Sequence, residues 1–304
     1  MTQTTPYPAR LAGLHTALMT PYDAAGEISA PCLQKLVDLT FRQGLDGLYV
    51  GGSTGESLLL STDEREHLFA LTAEAARGRG ALLGHVGAIS TREAVRLARC
   101  CAELKYDAVS AIPPIYFPHA KGAIFAYYRA IAEAAQGVPL VIYNIPGLSG
   151  VRFSLADFET LLAIPGVVGI KQTANDMYQM EQLRRTFPGM LLFNGFDEMM
   201  AAGLISGANG GIGSTYNIMG TRYVALRKAV AEGRNADALA LQARCNAVID
   251  VLVEVGVFQG LKYLLYRLGV LATPACRAPM ETISGAAATK LDALLAELRA
   301  ELPL

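Results

Sequence analysis

The sequence carries little charge, and the charges of the two signs almost cancel. Only 17% of its 304 residues are charged, and 26 lysines and arginines stand against 27 aspartates and glutamates, a formal net charge of −1 at pH 7. Proteins that bind nucleic acid use an excess of basic side chains to neutralise phosphates. The balance therefore predicts no nucleic-acid partner. A hydrophobic fraction of 52% also excludes a disordered chain.

Cysteine and histidine are also scarce. The five cysteines form no CxxC pair and their number is odd, so the sequence predicts neither a disulfide framework nor a zinc knot. The four histidines show neither the HxxxH spacing nor the His–Cys pairing of metal ligands. No glycine-rich loop is followed by the lysine that a Walker-type nucleotide site needs. We therefore expect no metal and no cofactor.

The sequence predicts neither a membrane segment nor a secretory signal. Two stretches without charged residues, 134–151 and 199–221, are interrupted by prolines or by six glycines, which would leave backbone groups unpaired in lipid. The N-terminal segment lacks the basic start and apolar run of a signal peptide. We therefore expect a cytoplasmic protein that has no membrane partner.

Strand-like and helix-like segments alternate along most of the chain. Eight short apolar runs are separated by amphipathic segments of helical length. Runs that are apolar throughout are typical of parallel strands covered on both faces, and the alternation favours βαβ units. The sequence thus predicts an α/β fold, a (β/α)8 TIM barrel. The predicted strands are 15–19, 47–50, 82–86, 108–112, 140–143, 167–171, 190–193 and 210–212, and the clearest helices between them are 62–77, 91–104, 120–135, 154–163 and 177–187.

The last part of the chain has a different pattern. From residue 221 onward the strand signals stop, and the apolar spacing predicts helices over 235–255, 257–268 and 283–302. No linker rich in serine or proline precedes this part. We therefore expect residues 1–220 to form the barrel, and residues 221–304 to form helices that pack on it within a single structural unit.

Two residues that end apolar runs carry groups suited to carbonyl chemistry. The active site of a TIM barrel forms at the carboxyl ends of its strands, and Lys171 and Tyr143 end two of them. An amine attacks a carbonyl only when it is neutral, and apolar surroundings disfavour its charged form. A tyrosine hydroxyl can carry the accompanying proton. The residues alone leave open a lysine that extends to solvent or forms a structural ion pair, and a tyrosine buried for packing.

The turn after the second predicted strand has two interpretations. Gly51-Gly-Ser-Thr-Gly55 offers backbone amides and two hydroxyls to a carboxylate or phosphate. The same letters match the nucleophile elbow of serine hydrolases, which needs a histidine late in the chain. The last histidine is His119, which disfavours a hydrolase. After the seventh strand, Asp197 and Glu198 could bind hydroxyl groups or could stand at a solvated helix N-terminus.

Six motifs occur in order along nearly the whole chain. They are Asp46-Gly-Leu-Tyr-Val-Gly-Gly-Ser-Thr-Gly-Glu56, Tyr143-Asn-Ile-Pro-Gly-Leu-Ser-Gly150, Lys171-Gln-Thr173, Asp176-Met-Tyr-Gln-Met-Glu181, Asn194-Gly-Phe-Asp-Glu198 and Gly210-Gly-Ile-Gly-Ser-Thr-Tyr-Asn217. Together they resemble the N-acetylneuraminate lyase family of pyruvate-dependent class I aldolases, within the dihydrodipicolinate synthase/N-acetylneuraminate lyase superfamily. Each motif alone is weak evidence, but their shared order and spacing are specific.

The resemblance implies a reaction and a set of site residues. The reaction is the reversible aldol cleavage of N-acetylneuraminate, a sialic acid, to N-acetylmannosamine and pyruvate, without a cofactor. Lys171 would form the Schiff base, Tyr143 would transfer protons, and the substrate carboxylate would bind Ser53 and Thr54. The family is typically a homotetramer, in which a tyrosine matching Tyr116 reaches a neighbouring subunit's site. The family's sugar-binding positions fall on Thr173, Gly195, Asp197, Glu198 and Ser214.

Three other functions compete with this one. Dihydrodipicolinate synthases carry an arginine where this chain has Leu148, and leucine cannot clamp a second carboxylate. The same imine chemistry on another sugar-derived 2-keto acid is a second alternative. A third is a barrel that binds a sugar or pyruvate without catalysis, against which the combination of Lys171, Tyr143 and Ser53 argues.

The second alternative draws on three positions beside the predicted site. The chain has Ala174, Phe196 and Asn209 where serine, tyrosine and aspartate are common in the family that it resembles. We expect these differences to affect the choice of sugar rather than the class of reaction.

Overall fold

The structure of the protein, a computed structural model, describes residues 7–304. Eight parallel strands close into one barrel, with neighbours in chain order, so the predicted (β/α)8 fold is confirmed. Residues 1–6, part of the segment judged to lack a signal peptide, lie outside the described range. The strands are β1 (Leu14–Ala17), β2 (Gly47–Val50), β3 (Ala81–His85), β4 (Ala108–Ala111), β5 (Leu140–Asn144), β6 (Val167–Gln172), β7 (Leu191–Asn194) and β8 (Gly210–Gly213).

Helices follow the strands and continue to the end of the chain. They are α1 (Ala30–Arg42), α2 (Thr62–Ala76), α3 (Thr91–Glu103), α4 (Lys121–Ala134), α5 (Pro146–Ser149), α6 (Leu155–Leu162), α7 (Met177–Thr186), α8 (Met200–Ile205), α9 (Tyr216–Ala231), α10 (Asn235–Val255), α11 (Val257–Arg267), α12 (Gly285–Asp292) and α13 (Leu295–Glu301).

Burial explains why the strands are apolar throughout. Every residue of the eight strands is buried, as expected for parallel strands covered on both faces. Four strands nevertheless end on a buried polar residue, namely His85, Asn144, Gln172 and Asn194. A polar side chain without water around it needs a partner, so these strand ends are places where hydrogen bonds or a ligand must satisfy it.

Caps fix where the predicted helices begin. Glu64 N donates to Ser61 Oγ at 3.2 Å, and the Glu64 carboxylate accepts from Ser61 N at 2.7 Å, a capping box at the start of α2. Ser154 and Asp157 form the same arrangement at α6. The predicted bounds of α2, α3, α4, α6, α7, α10 and α11 agree with the structure to within one residue at each end.

The C-terminal helices differ from the sequence prediction in two places. The single helix expected over 283–302 is wrong, because Leu294 N donates to Leu291 O instead of continuing the α-helical spacing, and this tight turn separates α12 from α13. Helix α9, Tyr216–Ala231, has no counterpart among the predicted helices. Its backbone is irregular at Met219, which has non-helical angles (φ −131°, ψ 20°).

The chain divides into two compact units. The first comprises the described part of Met1–Gly13 together with Ala81–Ile212, and the second comprises Leu14–Gly80 together with Gly213–Leu304. Within the second unit α9 packs against β1 and α1. Gly220 N donates to Gln43 Oε1 at 2.7 Å, which ties α9 to the end of α1. The expected boundary at residue 220 lies inside α9. The C-terminal helices belong to the same unit as β1 and β2.

Arg222 holds the end of the chain against α9. Its side chain is 4% exposed and forms ion pairs with Glu297 at 2.6 Å and Glu301 at 2.5 Å. Burial raises the pKa of Glu301, but the hydrogen bond and positive charge of Arg222 outweigh it, so the pKa lies below its ordinary value. The pair therefore fixes α13 to α9 at neutral pH.

All five cysteines are free, as the sequence indicates. Cys32, Cys101 and Cys245 are buried, whereas Cys100 and Cys276 are half-buried. Among residues 7–304, none of the helices combines the length and the apolar character that crossing a bilayer requires.

Gly210→Ala tests how closely the first unit is packed. An ideal Cβ at Gly210 would lie 1.8 Å from the carbonyl oxygen of Gly13, which already accepts from Gly211 N at 3.0 Å. Because the backbone would have to shift, we expect the free energy of unfolding to fall by about 2–3 kcal/mol, measured by urea denaturation.

Gly122→Ala is the matched control for this substitution. Nothing lies within 4 Å of a Cβ at Gly122, so the better helix propensity of alanine should leave stability unchanged or raise it by up to about 1 kcal/mol. Equal effects of the two substitutions would contradict the steric argument.

Candidate active site

Lys171 and Tyr143 lie side by side at the carboxyl ends of adjacent strands. In the pairing of β5 with β6, Tyr143 is the register partner of Lys171. Lys171 Nζ lies 3.6 Å from the centroid of the Tyr143 ring. The two residues are 4% and 3% exposed. The structure therefore brings an amine and a phenol, the two groups singled out in the sequence, into contact in a place with little water.

His85 belongs to the same neighbourhood, although the sequence argued only against a metal-binding role for the histidines. Its ring lies edge-on to Tyr143, with the ring centroids 5.9 Å apart. Ile112 N donates to His85 Nε2 at 3.3 Å. Because that nitrogen accepts, the neutral ring carries its proton on Nδ1. The available sequence signal was a histidine within the third predicted strand, 82–86.

Thr173 and Gly195 are fitted to each other in the first unit. Thr173 N donates to Asn144 O and Gly195 N donates to Gln172 O, both at 2.8 Å. An ideal Cβ at Gly195 would lie 1.8 Å from Thr173 Oγ1, so only glycine leaves room for that hydroxyl. Thr173 Oγ1 is buried, and it has no hydrogen-bond partner within residues 7–304. A bound molecule could supply the missing partner.

A chain of amides supports these strand ends. Asn144 Nδ2 donates to Gln172 Oε1 at 2.7 Å, and Gln172 Nε2 donates to Gln179 Oε1 at 2.8 Å. Gln179 Nε2 in turn donates to Phe153 O at 3.1 Å. Successive side chains of a strand point to opposite faces, so the Gln172 side chain points away from that of Lys171. Its hydrogen bond to Gln179 connects β6 to α7. The sequence predicted no role for these amides.

The adjacent acids after β7 occupy different surroundings. Asp197 is 7% exposed, whereas Glu198 is exposed. Both lie in a short 3₁₀ turn, Asp197–Met199, so consecutive side chains point in different directions. Asn194 Nδ2 donates to Phe196 O at 2.6 Å and fixes the start of this turn. The two acids thus stand at the start of a short turn that leads into α8, and both interpretations made from the sequence stay open.

The second unit contains the glycine-rich turn. Gly55 N donates to Gly52 O and Glu56 N donates to Ser53 O, both at 3.0 Å. Thr54 Oγ1 and Ser214 Oγ are 2.6 Å apart and share a hydrogen bond. Thr54 is buried, while Ser53 and Ser214 are half-buried. The Thr54 hydroxyl of the turn thus lies against the Ser214 hydroxyl that follows β8.

Tyr116 is the most exposed large hydrophobic side chain among residues 7–304. It is 84% exposed, and its ring packs edge-on against Phe117 at 4.9 Å. Its φ of 78° lies in the left-handed region that non-glycine residues seldom adopt. Such local strain often accompanies a functional segment.

Within residues 7–304, no group of three or more His, Cys, Asp or Glu side chains is arranged to hold a metal ion.

Comparison with known proteins places the chain. The pattern of the dihydrodipicolinate synthetase family matches residues 10–298. The chain belongs to this family. Among family members, the chain is 47% identical to the N-acetylneuraminate lyases of Enterobacter sp. (strain 638) and Escherichia coli (strain SMS-3-5), over 292 and 291 residues, and both alignments cover 96% of this chain and 98% of the relative.

Solved structures are similar over the same extent. CdNal from Clostridium difficile in complex with mannosamine gives a TM-score of 0.91 at 35% identity, covering 95% of this chain and 99% of that one. N-acetylneuraminate lyase from Fusobacterium nucleatum complexed with pyruvate gives 0.89 at 34% identity, covering 98% and 99%. A catalytic lysine mutant of Ruminococcus gnavus sialic acid aldolase gives 0.93 at 28% identity, covering 98% and 100%. The resemblance drawn from the six motifs is confirmed.

Of the three positions that differ from the residues common in the family, Asn209 forms hydrogen bonds that connect two elements. Asn209 Oδ1 accepts from Arg184 Nη2 at 2.6 Å and from Leu192 N at 2.9 Å, which fastens α7 and β7 together. Ala174 and Phe196 remain the departures that directly adjoin Thr173 and Gly195 in sequence.

Thr173→Val tests whether the Thr173 hydroxyl serves stability. Because Oγ1 is buried without a partner, its removal should leave the free energy of unfolding unchanged or raise it by roughly 1 kcal/mol. Urea denaturation of both proteins measures the difference.

Thr20→Val provides the comparison. Thr20 is equally buried, but its hydroxyl donates to Gly55 O at 2.7 Å, so its loss should cost about 1–3 kcal/mol. If Thr173→Val destabilised as much as Thr20→Val, the hydroxyl would have a structural partner after all.

Proposed function

We propose that this protein catalyses the reversible aldol cleavage of N-acetylneuraminate to N-acetylmannosamine and pyruvate, through a Schiff base on Lys171. The observation that carries the proposal is the contact between Lys171 Nζ and the Tyr143 ring at 3.6 Å, with both residues buried at strand ends. The 47% identity to N-acetylneuraminate lyases over 96% of the chain supports the choice of substrate.

The lysine and the tyrosine have complementary parts in forming the imine. Neutral Lys171 Nζ adds to C2 of the open-chain keto acid and gives a carbinolamine. Tyr143 donates its proton to the carbinolamine oxygen, which leaves as water, and a protonated imine and a phenolate remain. The positive nitrogen is the electron sink for the next step.

Cleavage then moves one electron pair and one proton. The Tyr143 phenolate removes the proton of the C4 hydroxyl, which becomes the aldehyde of N-acetylmannosamine, while the C3–C4 bond breaks and its electrons form the C2=C3 bond of an enamine. Return of the proton from Tyr143 to C3 gives the protonated imine of pyruvate and leaves the phenolate. Water adds to this imine and gives a proton to the phenolate, so release of pyruvate restores both neutral Lys171 and the Tyr143 hydroxyl. The substrate's own carboxylate is a second candidate to assist the proton transfer.

The remaining family positions are proposed to hold the two ends of the substrate. Ser53 and Thr54 offer hydroxyls on the glycine-rich turn and are assigned to the carboxylate. Thr173, whose buried hydroxyl lacks a partner, is assigned to a sugar hydroxyl, and Gly195 leaves space beside it. Asp197 and Glu198 are assigned to the polyol tail, together with Ser214, whose hydroxyl already contacts Thr54.

Two enzymatic alternatives are weighed against this proposal. A dihydrodipicolinate synthase would need a cationic side chain at position 148 to bind a second carboxylate. Leu148 is 68% exposed, but its side chain carries no charge and cannot bind that group. Cleavage of another sugar-derived 2-keto acid keeps the same mechanism and is favoured only by Ala174 and Phe196, which adjoin the sugar-binding positions. A barrel that binds without catalysis has no use for a buried amine beside a phenol.

A homotetramer is proposed as the assembly. In support, Tyr116 is 84% exposed and strained, which suits a side chain that completes a neighbouring subunit's site. The cytoplasmic location expected from the sequence stays a prediction.

Lys171→Ala tests the nucleophile. We expect pyruvate release from N-acetylneuraminate to fall by more than about 10³-fold while the fold persists, because the imine cannot form. Borohydride should trap pyruvate on the wild-type protein, at the peptide that contains Lys171, but not on the variant.

Lys228→Ala serves as the control, because this lysine side chain is 71% exposed, and it should match the wild type in both assays. Activity of Lys171→Ala within about tenfold of wild type would exclude the mechanism. Absence of both trapping by wild type and turnover of any keto-acid sugar would favour the non-catalytic barrel.

Tyr143→Phe separates proton transfer from packing. The ring that contacts Lys171 is retained, so stability should change little, whereas kcat should fall by about 10²–10⁴-fold because the proton carrier is lost. Steady-state pyruvate release at saturating substrate gives kcat, and prolonged incubation with pyruvate and borohydride should still label Lys171. An unchanged kcat would show that another group carries the proton.

A further inference from the structure

A buried charged cluster lies behind the glycine-rich turn in the second unit. We define the Glu56 cluster as Tyr22, Glu56, Lys262 and Arg277. The side chains of Glu56 and Lys262 form an ion pair, and both are 0% exposed. None of the six family motifs includes Lys262 or Arg277, and neither residue takes part in the mechanism above.

The Glu56 carboxylate is held from three parts of the chain. Its Oε2 accepts from Arg277 N at 2.6 Å and from the Tyr22 hydroxyl at 3.3 Å. Lys262 Nζ contacts Oε1, donates to Ala275 O at 2.9 Å, and lies 4.0 Å from the centroid of the Tyr22 ring. The position of Glu56 is therefore determined by residues from the loop after β1, from α11 and from the segment that follows α11.

Burial changes the pKa values of groups in and beside this cluster, and in each case it disfavours the charged form. Burial lowers the pKa of Lys262, and the negative charge of Glu56 opposes that change. Burial, and next the charge of Glu56, raise the pKa of Tyr22, and burial raises the pKa of the nearby Cys276 thiol to about 11. Tyrosine and cysteine are thus neutral at pH 7. A buried ion pair is often no more stable than apolar residues of the same volume, so stability alone is a weak reason to keep this one.

The backbone connects the cluster to the turn. Glu56 N donates to Ser53 O at 3.0 Å, and the neighbouring Gly55 O accepts from Thr20 Oγ1 at 2.7 Å. Glu56 itself has left-handed angles (φ 60°, ψ 30°), which a residue with a Cβ keeps only where its surroundings hold it. Fixing the Glu56 side chain therefore fixes the orientation of Ser53 and Thr54.

We propose that Glu56 and Lys262 are positioning residues, whose ion pair holds the turn 51–55 in the shape that accepts the carboxylate of the keto acid. The inference rests on the proposed function, because that function assigns the carboxylate to Ser53 and Thr54. Neither residue need touch the substrate. The pair acts through the backbone hydrogen bond to Ser53, so its loss should weaken recognition of the carboxylate more than it affects the imine chemistry.

The test removes both charges while keeping the volume of the pair. In Glu56→Gln/Lys262→Met no unpaired charge remains buried. The matched control is Glu254→Gln/Lys290→Met, which removes an ion pair whose side chains are 58% and 49% exposed. Each protein is titrated with pyruvate and with pyruvamide, which has an uncharged amide in place of the carboxylate, and borohydride trapping at Lys171 gives the concentration for half-saturation.

We expect a specific change in preference. Wild type and the control should favour pyruvate over pyruvamide by the same factor, and the double variant should lose about tenfold or more of that preference, with its half-saturation for pyruvamide unchanged. KM for N-acetylneuraminate should rise likewise, while kcat changes by less than about threefold. Lys262→Arg, which keeps a cation beside Glu56, should retain most of the preference.

A folded double variant with the wild-type preference would overturn the proposal. An equal loss of affinity for pyruvate and pyruvamide would also overturn it, because a general disturbance of the site would then explain the result. If the double variant does not fold, Glu56→Asp is measured in its place. It keeps both charges but retracts the carboxylate, so the preference should fall, and an unchanged preference counts against positioning.

The wild-type assay distinguishes this proposal from the proposed function. Wild type that traps pyruvate but releases none from N-acetylneuraminate contradicts the substrate assignment, yet its preference for pyruvate over pyruvamide still reports on the turn. If the wild type cleaves N-acetylneuraminate and the double variant keeps the wild-type preference for pyruvate over pyruvamide, only the positioning role is contradicted.

Discussion

The register between β5 and β6 is the constraint on which the candidate site depends. Parallel pairing sets Tyr143 opposite Lys171, and side chains of register partners on one face of a sheet are neighbours. A shift of one residue would turn Lys171 to the other face and replace it by Gln172. The backbone pairing of β5 with β6 therefore places the Lys171 amine against the Tyr143 phenol. The sequence has only to provide a lysine and a tyrosine at these two strand ends.

Glycine occupies two positions near the candidate site where a Cβ would have no room. A Cβ at Gly169, two residues before Lys171 on the same strand face, would lie 2.0 Å from Leu191 O. At Gly195 it would overlap the Thr173 hydroxyl. The first position allows β6 and β7 to approach, and the second leaves room for the buried Thr173 hydroxyl, so glycine makes space for backbone in one case and for a side chain in the other.

Buried polar groups are treated differently in the two units. In the first, the amides of Asn144, Gln172 and Gln179 are hydrogen-bonded in a chain, which supports the strand ends with uncharged groups. In the second, full charges are paired, as in Glu56 and Lys262. In the proposed mechanism Lys171 reacts as a neutral amine, which uncharged amides nearby suit, and the charged pair is the part proposed to hold the turn 51–55.

The sequence by itself determined the fold class and the chemistry at the strand ends. Apolar runs, helix caps such as Ser61 with Glu64, and polar residues that end a run, such as Tyr143 and Lys171, are local features, so they can be found from neighbours in the chain. It did not reveal the break between α12 and α13, which one backbone hydrogen bond decides, or the place of His85 beside Tyr143. Only the tertiary structure could join Glu56 to Lys262, because side chains so distant in sequence meet when the chain folds, and burial then decides that their charges must be paired.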